Sequence, residues 1–247
     1  MTPTAPRSTE PGTIEPRRIE PRRIEPRRIK IAPSILAADF AHLADDVDRV
    51  AADVDLLHVD AMDGHYVPNL SIGPPVVASL RKATDLYLDC HLMVADPGSL
   101  LEMFAAAGAD GITVHVEVGD TTSLLDRIRA LGCRVGLTLE PATPFSAVEP
   151  FLDRIDTLLV MSVQTGFGGQ AFMPEVLDKV RAARALIDDG ALACEIEIDG
   201  GIKEHNAAEA AAAGVDILVA GTAIFGRPDP AAAAREIRAN ALAALGP

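Results

Sequence analysis

From residue 30 onward, short apolar runs recur along the chain: Ile31–Leu36, Leu56–Ala61, Leu86–Val94, Gly111–Val116, Val135–Leu139, Thr157–Val163, Cys194–Ile198 and Ile217–Ala220. They are short and rich in Val, Ile and Leu, the texture of strands buried on both faces of a parallel sheet. Between them lie amphipathic, alanine-rich segments; Phe40–Ala52, Leu100–Ala107 and Pro174–Asp188 predict helices. Gly108-Ala109-Asp110 and Gly214-Val215-Asp216 read as a glycine helix stop leading into the next strand. Eight strands alternating with helices over residues 30–247 predict an α/β chain folded as a single (β/α)8 barrel, near the lower size limit of that architecture. An open doubly wound sheet would place a glycine-rich loop after the first strand. The segment there, Ser34-Ile35-Leu36-Ala37-Ala38-Asp39, contains no glycine. The barrel is preferred.

The first residues follow another pattern. Ile-Glu-Pro-Arg-Arg runs three times from Ile14 to Arg28. A proline in every repeat forbids a continuous helix, and isolated isoleucines build no core, so residues 1–29 are expected to be a disordered extension. It reads as a dispensable tail rather than a basic binding arm, and its glutamates argue against organelle targeting.

Composition narrows the class. The 247 residues are 49% hydrophobic, and no run approaches the ~20 apolar residues of a membrane helix. The net charge of −14 argues against nucleic acid or an anionic membrane as a partner. Cys90, Cys133 and Cys194 are too scattered for a disulfide framework. These features predict a soluble cytoplasmic protein, with a homo-oligomer allowed.

In a barrel, alternate residues of each strand point inward, and reactive groups gather at the strands' carboxyl ends. His58, Asp60 and Met62 share one parity in the second strand, His91 and Met93 in the third, and Glu195, Glu197 and Asp199 in the seventh. Polar residues inside apolar strands are costly unless paired, protonated or bound to metal. Any one of these histidines alone reads as a hydrogen-bonded structural residue. Two imidazoles and two carboxylates together, on three strand ends, suit one divalent cation. Glycine-rich turns follow the last three strands: Gly166-Phe167-Gly168-Gly169, Gly200-Gly201 and Gly221-Thr222. Such turns expose backbone N–H groups to a phosphate, although each glycine pair alone is an ordinary turn.

With these residues placed, the chain resembles the ribulose-phosphate 3-epimerase family across about residues 30–235. The resemblance rests on residues 31–40 (IAPSILAADF), 58–69 (HVDAMDGHYVPN), 91–94 (HLMV), 166–170 (GFGGQ), 199–201 (DGG) and 220–225 (AGTAIF). It implies an isomerase of the pentose phosphate pathway that inverts C3 of D-ribulose 5-phosphate to give D-xylulose 5-phosphate. It implies His58, Asp60, His91 and Asp199 as ligands of zinc, with manganese, iron(II) or cobalt also fitting. Asp60 and Asp199 are then the acid/base pair on opposite faces of an enediolate. Ser34, His91, Gly166, Phe167, Gly168, Gly169, Asp199, Gly200, Gly201, Gly221 and Thr222 match substrate-binding positions. Met62, Met93 and Met161 match a methionine cluster around the reacting carbon. One departure is Thr165, preceded by Gln164, where the family usually has proline; a less rigid loop is expected.

Three rivals are set against this reading. The first is an epimerase of the same family acting on a six-carbon phosphoketose such as allulose 6-phosphate. The second is a metal-free decarboxylase or synthase, whose Asp-x-Lys-x-x-Asp signature is absent after the third strand. The third is a non-catalytic binding protein.

Overall fold

The computed structural model describes residues 27–246. Eight parallel strands form one ring: β1 (Lys30–Pro33), β2 (Leu56–Met62), β3 (Tyr87–Met93), β4 (Gly111–His115), β5 (Arg134–Leu139), β6 (Thr157–Met161), β7 (Glu195–Asp199) and β8 (Ile217–Ala220). Each strand pairs with its sequence neighbour from β2 to β8, and β8 pairs with β1. Between β1 and β2 the ring closes through a bridge of Ser34 with His58, and through the Asp55 N–H on the Ile31 carbonyl at 3.1 Å.

The expected first strand, Ile31–Leu36, stops at Pro33. The Ser34 hydroxyl accepts the Leu36 N–H and turns residues Ile35–Ala37 into a 3-10 turn. The helix expected over Phe40–Ala52 is also shorter, because Asp39 caps a 3-10 turn over Phe40–His42 before helix α1 (Leu43–Asp48) begins. The outward face of the strands is apolar throughout. Leu57, Val59, Leu88, Cys90, Leu92, Val135, Leu137, Ile196 and Ile198 are buried between the ring and its helices. All three cysteines are buried, and none forms a disulfide among the described residues.

The inward face divides by depth. Near the strands' amino ends, Ala32, Leu56, Ile217 and Val219 pack with Tyr87. The floor beneath them carries a device repeated four times. Asp55, Asp110, Asp156 and Asp216 stand just before β2, β4, β6 and β8, and each carboxylate accepts the N–H of the preceding strand, from Ile31, Leu88, Val135 and Ile196 at 2.8–2.9 Å. Each also faces an arginine: Arg238, Arg81, Arg129 and Arg184 respectively. A carboxylate that accepts both an N–H and a guanidinium is well matched even where water is scarce.

Of the extension expected over residues 1–29, residues 1–26 lie outside the described residues. Residues 27–29 pack on the barrel, contrary to that expectation. Arg27 reaches Asp216 at 3.1 Å and the Val215 carbonyl at 2.7 Å, and Ile29 is 1% exposed. The third repeat ends beside acidic, apolar floor residues that give its arginines and the next isoleucine something to pack against.

Candidate active site

Strand register brings the candidate residues together at the carboxyl ends. Asp60 lies beside His91 and Met62 beside Met93 across β2–β3, while Met161 lies beside Asp199 across β6–β7. Ligand atoms of His58, Asp60, His91 and Asp199 all fall within 4.8 Å of one another. The Ser34 hydroxyl donates to Asp60 Oδ2. Asp60 Oδ1 sits 3.4 Å from His58 Nε2 and 3.5 Å from His91 Nδ1, and both of those buried ring nitrogens lack a hydrogen-bond partner.

The far sides of the two rings are occupied. His58 Nδ1 donates to Asp89 Oδ2 at 3.2 Å and lies 3.3 Å from Glu197 Oε1, so its proton is drawn away from Nε2. His91 Nε2 meets His115 Nε2 at 2.9 Å. Both rings thus turn one nitrogen toward the same carboxylate oxygen. Histidine ligands are commonly held this way, with the second nitrogen anchored by a partner behind.

The charges are unevenly matched. Burial pulls the His58 imidazole down, but Asp60, Asp89 and Glu197 outweigh it and hold its proton well above the usual histidine range. Burial alone would raise Asp60, yet His58 and His91 beside it keep its carboxyl well below the usual range. Burial lowers His91 to about 4. Burial, then the charge of Asp60, lifts Asp199 to about 7; burial, then Asp89, lifts Glu197 to about 8. Four carboxyl groups share two imidazoles, and the metal-free chain answers by holding protons. A divalent cation at the two free ring nitrogens supplies the same positive charge, and a donor set of two imidazoles and two carboxylates fits it. The described residues therefore include a cluster able to hold a divalent cation.

A cleft of about 680 Å3 opens above this cluster. It is lined by Ser34, Asp60, Met62, Met93, Met161, Gly166, Phe167, Gly168, Gly169, Asp199, Gly200, Gly201, Gly221 and Thr222; His58 and His91 lie behind its wall. The three methionines are buried around the two aspartates, and Phe167 is 55% exposed at the rim. The glycines differ in kind. A Cβ on Gly200 would come within 2.6 Å of Val163 and one on Gly201 within 2.5 Å of the Phe172 N atom, so packing alone demands glycine there. A Cβ on Gly168 would meet nothing within 4 Å. The space beside that backbone stands open to the cleft.

The sequence profile of the ribulose-phosphate 3 epimerase family matches residues 30–225. The chain belongs to this family. A ribulose-phosphate 3-epimerase of Mycobacterium tuberculosis is 53% identical over 218 residues, covering 87% of this chain and 93% of that protein. One of Escherichia coli is 48% identical over 202 residues, covering 81% and 90%. Among solved structures, 3-keto-L-gulonate-6-phosphate decarboxylase from Vibrio cholerae superposes with a TM-score of 0.68 at 20% identity, covering 87% of this chain and 98% of that one, a likeness of fold.

Four features of this epimerase-family chain escape the sequence pattern. Asp89 and Glu197 stand behind His58. His115, fully buried, stands behind His91. Among the described residues, Lys203 is the one lysine or arginine lining the cleft. Thr165, where a proline was expected, donates its N–H to Glu140 Oε2 at 3.4 Å, and Asn69 Nδ2 donates to the Gly166 carbonyl at 3.1 Å. The first is a tether that proline, lacking an N–H, could not make.

Proposed function

We propose that this chain interconverts D-ribulose 5-phosphate and D-xylulose 5-phosphate, with Asp60 and Asp199 as the two proton carriers. The observation that carries the reading is the placement of these two carboxyl groups: both line the cleft, and each has an oxygen within 4.8 Å of the other and of His58 and His91 ring nitrogens. Asp60 is held as a carboxylate by His58 and His91, while Asp199 is raised to about 7 by burial and the Asp60 charge. Two titratable groups pushed apart by their surroundings are the mark of an acid and a base serving one reaction. Asp60 removes the C3 proton from one face of the sugar; Asp199 returns one from the other, and reversal exchanges the roles. Ser34, donating to Asp60 Oδ2, orients that carboxylate. Met62, Met93 and Met161 wall the reacting carbon with polarizable, uncharged surface and exclude water from it.

His58, Asp60, His91 and Asp199 would hold one divalent cation, and their mixed nitrogen and oxygen set favours zinc while accepting manganese, iron(II) or cobalt. When bound, that ion serves as a Lewis acid for the enediolate charge developing on the substrate oxygens. The phosphate is assigned to backbone N–H groups of Gly168-Gly169, Gly200-Gly201 and Gly221-Thr222, with Lys203 at the rim. Supporting this is the open space beside Gly168. Residues 30–247 are proposed as the catalytic domain, a pentose phosphate as the substrate and the cytoplasm as the compartment. Among the described residues no helix is long and apolar enough to cross a membrane, and a rice relative, 48% identical over 207 residues, is named as a cytoplasmic isoform.

Proton exchange in deuterated water tests the pair. In metal-loaded Asp60→Asn, C3–H exchange is expected to survive for one epimer only, and in Asp199→Asn for the other. A metal-loaded single variant that still interconverts both sugars at near wild-type rate overturns the two-carboxylate reading.

A further inference from the structure

Behind His91 the barrel interior holds a second histidine that none of the chemistry above uses. His115, at the end of β4, is fully buried, and its ring meets His91 edge to edge, with centroids 5.0 Å apart and planes inclined by 25°. Its Nε2 meets His91 Nε2 at 2.9 Å, a distance at which one of the two nitrogens carries a hydrogen and the other a lone pair. The outer end of His115 decides which. Its Nδ1 lies 2.9 Å from the Tyr66 hydroxyl and 3.2 Å from Glu117 Oε2. Glu117 is fixed as an acceptor. Its Oε1 takes the Glu140 N–H at 2.8 Å and the Thr143 hydroxyl, two donors that favour the ionised carboxylate. An ionised carboxylate oxygen can only accept, so His115 Nδ1 carries a hydrogen. The Tyr66 hydroxyl accepts there as well and donates onward to Glu140 Oε1 at 3.2 Å.

We propose that His115 is a positioning residue for the cation site: its Nε2 lone pair accepts the His91 Nε2 proton, which leaves the His91 Nδ1 lone pair aimed at the cation beside Asp60. The inference rests on the metal reading given above. It assigns two protons to two rings joined edge to edge in the one order that satisfies both ends, a carboxylate outside and a cation inside. The orphaned His91 Nδ1 is the end that the order leaves open. A ring free to carry its proton on Nδ1 would present N–H to the cation and could not bind it. Glu117 and Tyr66 act through His115, because they hold its proton on the outer nitrogen.

The test uses the full chain and zinc alone. Long-range proton–nitrogen NMR of histidine-labelled, zinc-loaded protein is expected to show His91 protonated at Nε2 and metal-shifted at Nδ1, with His115 protonated at Nδ1 only. In chelator competition, His115→Phe is expected to weaken zinc binding by about 10–100-fold, the usual cost of removing a partner behind a ligand. His115→Gln, whose side-chain carbonyl can accept the same proton, is expected to recover most of that loss. A packing role would lower the melting temperature of the phenylalanine variant and leave its zinc affinity unmoved. That result overturns the proposal, as does a His91 proton on Nδ1 or a second proton on His115 in the zinc-loaded wild type. Should the phenylalanine variant fail to fold, the wild-type spectrum decides. Wild-type protein that takes up no zinc overturns the metal reading, and this inference with it. Zinc-loaded wild type with the other proton order overturns this inference alone.

Discussion

The two ends of the barrel hold the same kind of residue in opposite conditions. At the floor, Asp55, Asp110, Asp156 and Asp216 each accept a strand N–H and face an arginine, and Asp216 is shared by Arg27 and Arg184. At the mouth, Asp60, Asp199 and, behind His58, Asp89 and Glu197 have two imidazoles among them and, among the described residues, no arginine or lysine paired with them. Floor carboxylates are satisfied by the fold and serve it. Mouth carboxylates are left short of positive charge, so they hold protons or a cation instead. A carboxylate the fold does not neutralise remains free for chemistry, and unneutralised charge marks this site better than burial or strand position does.

Exchanging the roles is the strongest way to break the comparison. Asp199→Asn is expected to cut turnover by about 10²–10⁴, the usual worth of a general acid or base, with melting temperature unchanged or raised. Asp216→Asn is expected to do the reverse: a loss of about 3 kcal/mol of stability, as when one partner of a buried pair is removed, with kcat within a few-fold of wild type. Denaturant unfolding and steady-state rates on both proteins check this. If Asp199→Asn destabilises as much as Asp216→Asn, the distinction between the two ends fails.

Acidity sharpens the comparison next. In the metal-free chain Asp199 and Glu197 titrate near 7 and 8, above their unfolded values. Raised carboxyl values mean that the folded state holds the proton more tightly. The stability they contribute is complete below the ordinary carboxylate range and is lost as pH rises through 7 and 8. The His58 proton, also raised, acts in the same direction above the ordinary histidine range. His91 and Asp60, both lowered, act oppositely but below it. Between about pH 6.5 and 8 the metal-free protein is thus expected to lose stability as pH rises, and the gain on adding zinc to grow, since the cation replaces those protons. At a hundredfold excess over its dissociation constant, zinc is expected to add about 2.7 kcal/mol. Calorimetric melting across that range, with and without zinc, checks the sign; a zinc increment that shrinks with pH contradicts it.

Smaller effects follow at the rim and below the floor. Lys203→Ala is expected to raise KM for the phosphorylated sugar about 3–10-fold at low salt and much less at high salt, because an exposed charge is screened. A salt-independent change would indicate packing instead. Removing residues 1–26 is expected to leave melting and turnover unchanged. Removing Arg27 and Arg28 as well takes a guanidinium from Asp216 and one from Asp55, at an expected cost of about 1 kcal/mol. Equal melting of the two truncations would show that the floor does not need them.

The ring of strands was legible because parallel strands buried on both faces are near-continuous apolar runs. Polar interruptions of one parity marked His58, Asp60, His91 and Asp199 for the same reason. What escaped depends on depth and register between strands. His115 interrupts the run Gly111–Val116 as His91 interrupts its own, but its place beside His91 depends on the register of β3 with β4, which pairs His91 with Thr113 on the same face. Parity did put Glu197 on the face of Asp199, but not that it lies one layer deeper, against His58 rather than the cleft. Of the floor aspartates, Asp110 and Asp216 were read only as residues after a helix stop, since the strand N–H each accepts belongs to a neighbour about twenty residues earlier.

The closing of the ring has a consequence for the making of the protein. Three of the four candidate ligands, His58, Asp60 and His91, come from strands completed early in synthesis, whereas Asp199 comes from β7, and β8 must still follow to meet β1. Ser34, which donates to Asp60, also meets β8, its N–H on the Ala220 carbonyl at 3.1 Å. A chain still on the ribosome therefore has imidazoles able to bind a cation loosely, but no opposed pair of carboxyl groups. Domains made vectorially expose incomplete surfaces in just such intervals. The order of strands supplies the fourth candidate ligand last, so a translation product interrupted before β7 lacks Asp199.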